Sequence, residues 1–172
     1  LQEWHDLGVR GARLNLQSVG REMDGDELSA TLQLYARAIR PLHWVLQLYV
    51  PLRMAAGLEA IVPGLGVRVC LDHFANPLLP DPARGELYTA SGDPYTLPGF
   101  GSLVNLLRLG STYVKLSAPY RISKQEDQRD LDPLAKELLN VAGKRRVVFA
   151  TDWPHTRFAG LDIKPFMERV LE

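Results

Sequence analysis

The sequence predicts an α/β fold with a parallel sheet, either an open doubly wound sheet or part of a (β/α)8 barrel. Five short, mostly apolar segments alternate with segments whose apolar residues recur at helical spacing. Polar residues follow these apolar segments at their carboxyl ends, where parallel α/β folds bind their ligands. No GxGxxG or GxxxxGK[ST] motif follows a strand. The sequence therefore argues against a dinucleotide or nucleoside triphosphate ligand.

Each predicted strand is a run of apolar or β-branched residues. The strands span 9–16, 44–50, 67–71, 112–117 and 147–150. The first alternates towards its end, so Arg13 and Asn15 share one face. The last has no alternation, which predicts a strand that is buried on both faces. The turn after it contains Pro154, which we expect to stiffen the backbone between Asp152 and His155.

The predicted helices follow from apolar spacing and from glycine or proline at their ends. They span about 1–7, 24–40, 52–62, 100–109, 131–142 and 161–170. Asp24 or Asp26 is expected to cap the second helix. Residues 75–98 are rich in proline and glycine and are predicted to form a long surface loop of the kind that often serves as a lid.

Composition narrows the function classes. The 172 residues have the length of one domain, and 20 basic side chains balance 20 acidic ones. This balance argues against a general nucleic-acid or anionic-membrane surface. The single cysteine, Cys70, excludes an internal disulfide and a zinc site built on several cysteines, and its apolar neighbours predict an inert core thiol. No apolar run is long enough to span a membrane, so we expect a cytoplasmic protein.

If the five strands are parallel, their carboxyl ends gather one rim of polar side chains. This rim comprises Arg13, Asn15, Gln47, Tyr49, Asp72, His73, Lys115, Ser117, Arg121, Asp152 and His155. An aspartate and a histidine from different strands can ligate one divalent metal. Alternatively, the aspartate can act as general base on a water while cations hold the substrate's carboxylate or developing oxyanion.

Each of these residues also has a structural interpretation. Asp152 can be a helix cap, Arg13 a buried ion-pair partner, Tyr49 a packing residue and Arg121 a solvated loop charge. Asp72 and His73 can form a satisfied pair within a loop. The functional interpretation gains support because the unusual residues occur at the same end of successive strands. His5 and His43 lie in helix-end contexts and are predicted to be structural.

Five motifs along the chain carry a family resemblance. They are GVRGARLN (8–15), WVLQLYV (44–50), VCLDHFANP (69–77), YVKLSAPYRIS (113–123) and VVFATDWPHT (147–156). In this order they resemble the amidohydrolase-related family of the metal-dependent hydrolase superfamily, in the branch similar to 2-pyrone-4,6-dicarboxylate lactonase. The resemblance covers nearly the whole chain.

The resemblance implies a distorted (β/α)8 barrel that hydrolyses a lactone, ester or amide through an activated water. It implies that Asp152 is the general base or a metal ligand, and that His73 orients the substrate carbonyl or binds the metal. Arg13 and Arg121 match arginines that hold substrate carboxylates, and Tyr49 matches a tyrosine that faces the substrate. Some members of the family use zinc and others work without a metal, so both possibilities remain for this chain.

The chain departs from the family pattern in two respects. The His-x-His pair expected on a first strand is absent, and the chain begins at what looks like the helix before the fourth strand. We therefore expect residues 1–172 to form a single domain with about five C-terminal strand–helix units of the barrel and without its N-terminal strands. In addition, Asn76 and the region of Val19 and Gly20 stand where the family has arginines. Fewer cations predict a substrate that is less anionic than a dicarboxylate.

The favoured hypothesis is a hydrolase of a small lactone, cyclic ester or related carboxyl compound, with His155 also placed around the substrate. We expect the isolated chain to lack this activity and a version extended through a His-x-His strand to have it. One alternative is a metal-dependent decarboxylase on the same scaffold. Another is a truncated, non-catalytic remnant that binds small carboxylates or a partner. The sequence leaves the oligomeric state open.

Overall fold

The computed structural model describes residues 1–21, 23–85 and 92–171, and its five strands form one parallel sheet. The strands are β1 (Gly11–Asn15), β2 (Val45–Tyr49), β3 (Val69–Leu71), β4 (Thr112–Leu116) and β5 (Val147–Phe149). They pair in the order β1-β2-β3-β4-β5. A doubly wound sheet reverses its strand order at a switch point, whereas successive units of a barrel keep the order of the chain. The structure therefore confirms the α/β fold and favours the partial barrel over the doubly wound sheet.

Helices alternate with the strands, as predicted. They are α1 (Gln2–Asp6), α2 (Gly25–Ile39), α3 (Ala55–Ile61), α4 (Phe100–Arg108), α5 (Pro119–Ile122), α6 (Asp132–Arg146) and α7 (Lys164–Leu171). Asp24 caps α2, because its carboxylate accepts a hydrogen bond of 2.8 Å from the backbone N–H of Glu27. The backbone of α6 is not helical at Gly143, close to the predicted end of this helix. None of the helices in the described ranges is long and apolar enough to cross a membrane.

The two faces of the sheet differ in chemistry. One face packs against the helices, with α2 on β1 and β2 and both α4 and α6 on β4. The strands bury apolar side chains there, namely Leu14, Leu46, Leu48, Val114 and Leu116. Side chains alternate along a strand, so the intervening residues Arg13, Gln47 and Lys115 lie on the opposite face, where Gln47 and Lys115 are half-buried and Arg13 is exposed. The sheet thus presents a polar row on the face that the helices leave open.

The prediction that residues 147–150 form a strand buried on both faces is wrong in this structure. Val148 is 39% exposed and Phe149 is 42% exposed. In the described part of the chain β5 pairs only with β4, so one of its edges has no neighbouring strand. The ring of Phe149 still stacks on Phe166 of α7, with ring centroids 5.9 Å apart.

Two other predictions concern the segments around β3. Cys70 is buried and free, as predicted, and burial raises the pKa of its thiol to about 11. The thiol therefore stays protonated at neutral pH.

The predicted long loop at 75–98 contains short 3-10 turns at Pro82–Arg84 and Pro94–Thr96, and its residues 86–91 lie outside the described part of the chain.

Candidate active site

Asp72, directly after β3, is a buried carboxylate with partners on three other strands. Its Oδ2 accepts a hydrogen bond of 2.9 Å from Arg13 Nε on β1 and one of 2.7 Å from Gln47 Nε2 on β2. Its Oδ1 lies 3.1 Å from Lys115 Nζ on β4, and that ammonium donates a hydrogen bond of 2.8 Å to Gln47 Oε1. The Asp72 side chain is only 1% exposed. The carboxylate therefore ties β1, β2 and β4 together at the floor of the open face.

His73 follows Asp72 and is also buried. Its Nδ1 lies 2.8 Å from Ser117 Oγ, and its Nε2 lies 3.7 Å from Asp152 Oδ1. Burial lowers the pKa of His73 in spite of the two aspartates nearby, so the ring is neutral at pH 7. An ionised Asp152 can only accept a hydrogen bond, so the tautomer that fits this site carries its proton on Nε2 and accepts from the Ser117 hydroxyl through Nδ1.

Asp152, after β5, has one carboxylate oxygen occupied and one free. Oδ2 accepts hydrogen bonds of 2.6 Å from the Tyr120 hydroxyl and 2.8 Å from Arg121 Nε. Oδ1 faces His73 Nε2. Burial alone would raise the pKa of Asp152, but the hydrogen bonds from Tyr120 and Arg121 and the neighbouring positive charge outweigh it and lower the pKa. The group is therefore an ionised carboxylate with an oxygen available to accept a proton.

The backbone at these strand ends is unusual. His73, Phe74, Ala75 and Asn76 form a left-handed turn in which every residue has φ between 51° and 60°. Asp152 has φ 63°. Left-handed conformations are disfavoured for residues with a Cβ and persist where the surrounding structure imposes them, often at functional sites. His73 and Asp152, whose pKa values are both lowered, thus lie on strained backbone.

Two adjoining cavities open above these residues. One, of about 520 Å³, is lined by Asp72, Lys115 and Ser117 among others. The second, of about 580 Å³, is lined by Tyr49 and Asn15 among others. Both cavities are bordered by Arg13, His73, Arg121, Asp152 and Thr156. The sheet therefore brings together five of the six residues that the sequence assigned to the site.

Tyr49 and His155 occupy different positions relative to these cavities. The Tyr49 ring meets the His73 ring edge-on at 4.7 Å, and the Arg13 guanidinium lies 5.2 Å from its centroid. The His155 ring lies 3.1 Å through Nε2 from the carbonyl of Thr151 and packs edge-on against Tyr120 at 5.8 Å. His155 borders neither cavity, so the structure places it behind Tyr120 rather than against the space for a ligand.

Sequence reasoning missed two residues with central positions. Asp72 was placed in the polar rim and considered as a partner of His73 but was assigned no role at the site, and Tyr120 was given no role. Tyr120 lies beside Arg121 in the APYR segment, and this adjacency is the one local signal that could have drawn attention to it. The signal for Asp72 was its place directly after an apolar strand, in a chain where an earlier strand carries Arg13 and the next strand carries Lys115.

His73 and Asp152 are also candidate metal ligands. Within residues 1–21, 23–85 and 92–171, no group of three or more His, Cys, Asp or Glu side chains is placed to hold a metal ion. His73 Nε2 and Asp152 Oδ1 offer two donors, whereas a catalytic zinc takes three protein ligands. The described residues alone do not fit a zinc site.

Replacement of Tyr120 by phenylalanine is expected to raise the pKa of Asp152, because the Tyr120 hydroxyl stabilises its ionised form. If activity requires the carboxylate, the acidic limb of the pH–rate profile will move to higher pH while the activity at alkaline pH changes less. Measurement of kcat/KM from pH 3 to 9 tests this. Tyr95→Phe is a matched control, because the Tyr95 hydroxyl bonds Glu137 away from the site. An unmoved acidic limb would contradict the prediction.

The chain is similar to a known protein family and to two relatives of known name. The amidohydrolase family model matches residues 1–166. The chain is 32% identical over 168 residues to 4-sulfomuconolactone hydrolase of Hydrogenophaga intermedia, which covers 95% of this chain and 49% of that protein. It is 27% identical over 164 residues to 2-pyrone-4,6-dicarboxylate hydrolase of Comamonas testosteroni, covering 90% of this chain and 49% of that protein. The chain thus spans about half the length of these relatives.

Two solved structures resemble this chain over most of its length. A Pseudomonas putida protein described as a 2-pyrone-4,6-dicarboxylic acid hydrolase superimposes with a TM-score of 0.69 at 26% identity, over 99% of this chain and 58% of that one. A Burkholderia multivorans amidohydrolase with bound zinc superimposes with a TM-score of 0.58 at 25% identity, over 85% of this chain and 50% of that one. The fold of this chain therefore has counterparts among solved structures.

Proposed function

The chain belongs to the amidohydrolase family, and from this premise we propose that it supplies the acid–base and substrate-holding residues of a hydrolase for small carboxylated lactones. One observation supports this most strongly. The ionised carboxylate of Asp152 faces the neutral imidazole of His73 at 3.7 Å, in a cleft that is bordered by arginines. Both curated relatives are named as hydrolases of lactone-type compounds.

In the proposed reaction Asp152 Oδ1 takes a proton from a water as the water oxygen attacks the lactone carbonyl carbon. The carbonyl oxygen becomes an oxyanion, which the Nε2–H of His73 stabilises by donating a hydrogen bond. The bond to the ring oxygen then breaks, and Asp152 returns its proton to that oxygen. The product is an open-chain hydroxy acid, or its keto tautomer where the ring oxygen was enolic. The base is regenerated with no net change in its charge.

The other site residues act on binding and position in this proposal. Arg13 and Arg121 hold the substrate's anionic groups, and each is itself oriented by an aspartate. Tyr49 forms the wall beside His73. His155 supports Tyr120, which holds Asp152. No step of the proposed reaction passes through a metal ion, because the described residues offer only two donors, His73 and Asp152. If the site held a metal, these two residues would serve as ligands.

The test is a ring-opening assay with small mono- and dicarboxylated lactones. It compares the 172-residue chain with the longest product of the reading frame that contains it, and a metal analysis accompanies both. Residues 1–172 are proposed to be part of one barrel domain, so we expect ring opening by a form with a complete barrel. Carboxylate binding without turnover in both forms would favour the binding remnant. Release of carbon dioxide would favour the decarboxylase.

A further inference from the structure

Arg157 is a cation at the candidate site that no motif of the sequence singled out. It borders the cavity of about 580 Å³ together with Arg13, Tyr49 and Asp152. Within the described part of the chain, the Arg157 guanidinium has no hydrogen bond, ion pair or aromatic ring as partner. The other two arginines of this cavity differ in this respect, since Arg13 is paired with Asp72 and Arg121 with Asp152.

The backbone on both sides of Arg157 is fixed to the site. The carbonyl of Thr156 accepts a hydrogen bond of 3.0 Å from Arg121 Nη2. The Phe158 N–H donates a hydrogen bond of 2.8 Å to the His155 carbonyl, and the Phe158 ring lies 5.0 Å from the Arg121 guanidinium. Arg157 itself has φ 72°, a conformation that costs free energy for a residue with a Cβ. The arginine is therefore presented from an anchored loop.

The charges around the two cavities do not balance. Four cationic side chains, Arg13, Lys115, Arg121 and Arg157, accompany two carboxylates, Asp72 and Asp152. Asp72 binds two of the cations and Asp152 binds a third. A cleft with an excess of one sign of charge attracts ligands of the opposite sign, and guanidinium groups pair especially well with planar oxyanions.

We propose that Arg157 determines substrate specificity by binding a second carboxylate or similar oxyanion, remote from the scissile ester. This inference rests on the proposed function and names the class of substrate, a lactone that carries two anionic groups. Arg13 and Arg121 hold one of them, and Arg157 holds the other. The expectation of a less anionic substrate considered only Asn76, Val19 and Gly20. Arg157 supplies a cation from the connection between β5 and α7.

The first test is direct binding, in the protein form used for the hydrolysis assay. Glutarate is the dianionic probe, because its flexible chain adapts to the separation of two guanidinium groups, and pentanoate is the monoanionic probe of equal length. Calorimetry or ligand-observed NMR gives the dissociation constants. We expect Arg157→Gln to weaken glutarate binding about tenfold, as loss of one charge-assisted hydrogen-bonding partner does. Pentanoate binding should change less than about twofold.

Arg37→Gln is the matched control, because Arg37 is an exposed cation on α2 and borders neither cavity. Equal weakening of both probes by Arg157→Gln, or no change in glutarate binding, would overturn the inference. With a dianionic lactone, the variant should raise KM and leave kcat almost unchanged. If glutarate binding depends on Arg157 but no lactone is hydrolysed, the inference stands and the proposed function fails.

Discussion

Asp152→Asn is expected to lower lactone turnover by about 10²–10⁴-fold, the usual contribution of a general base, while the protein remains folded. The amide oxygen can still accept hydrogen bonds from Tyr120 and Arg121, so the turn after β5 keeps its anchors. The amide cannot take a proton from water at neutral pH. The measurements are kcat and KM of the purified variant, with circular dichroism to verify its fold.

The pH dependence gives this prediction a second readout. The pKa of Asp152 is lowered in the folded protein, so its carboxylate contributes to stability above the ordinary pKa range of an aspartate. That contribution is lost as the pH falls through the lowered pKa. Wild-type activity should therefore persist into mildly acidic solution, and Asp152→Asn should abolish this acidic limb.

Asp162→Asn is a suitable control, since Asp162 is an exposed loop aspartate that accepts a hydrogen bond from the Lys164 N–H. It removes the same charge from the same strand–helix connection. Unchanged turnover in Asp152→Asn would exclude the general-base role. A comparable loss in Asp162→Asn would point to an effect of the loop rather than of the carboxylate.

The gathering of polar side chains at one edge of the sheet could be predicted from sequence. Apolar runs of strand length, separated by helical patterns, determine a parallel sheet, and parallel strands end at the same edge. Arg13 and Asp152 are distant along the chain, yet this reasoning placed both at the site. In the structure both residues border the same cavities.

The pairing of these side chains could not be predicted. Arg13 was expected to hold a substrate carboxylate or to form a buried ion pair, and sequence offered no means to identify Asp72 as its partner. That partner depends on the register of three strands, in which Arg13 faces Gln47 and Gln47 faces Cys70, two residues before Asp72. The left-handed turn at residues 73–76 could not be predicted either, because the turn contains no glycine and Pro77 follows only after it.

Asp72→Asn is expected to reduce the free energy of unfolding by about 1–3 kcal/mol, the usual effect of weakening buried hydrogen bonds to charged groups. The carboxylate is 1% exposed and serves both Arg13 and Lys115. The variant leaves these two cations beside a neutral amide. Urea denaturation followed by tryptophan fluorescence measures the loss. Asp24→Asn is the control, because asparagine caps a helix as well as aspartate and the change in charge is the same.

A second substitution distinguishes loss of the ion pair from a local packing defect. If the destabilisation arises because Lys115 is left unpaired, Lys115→Met should cost less in the Asp72→Asn background than in the wild type, or should even restore part of the stability. A packing defect predicts losses that add. The double-mutant cycle should therefore give a favourable coupling energy between Asp72 and Lys115. The physical reason is that Asp72 contacts Lys115 through Oδ1 and Arg13 through Oδ2. Strict additivity, or an Asp72→Asn variant as stable as Asp24→Asn, would contradict the assignment of Asp72 as the residue that holds the cations of the site in place.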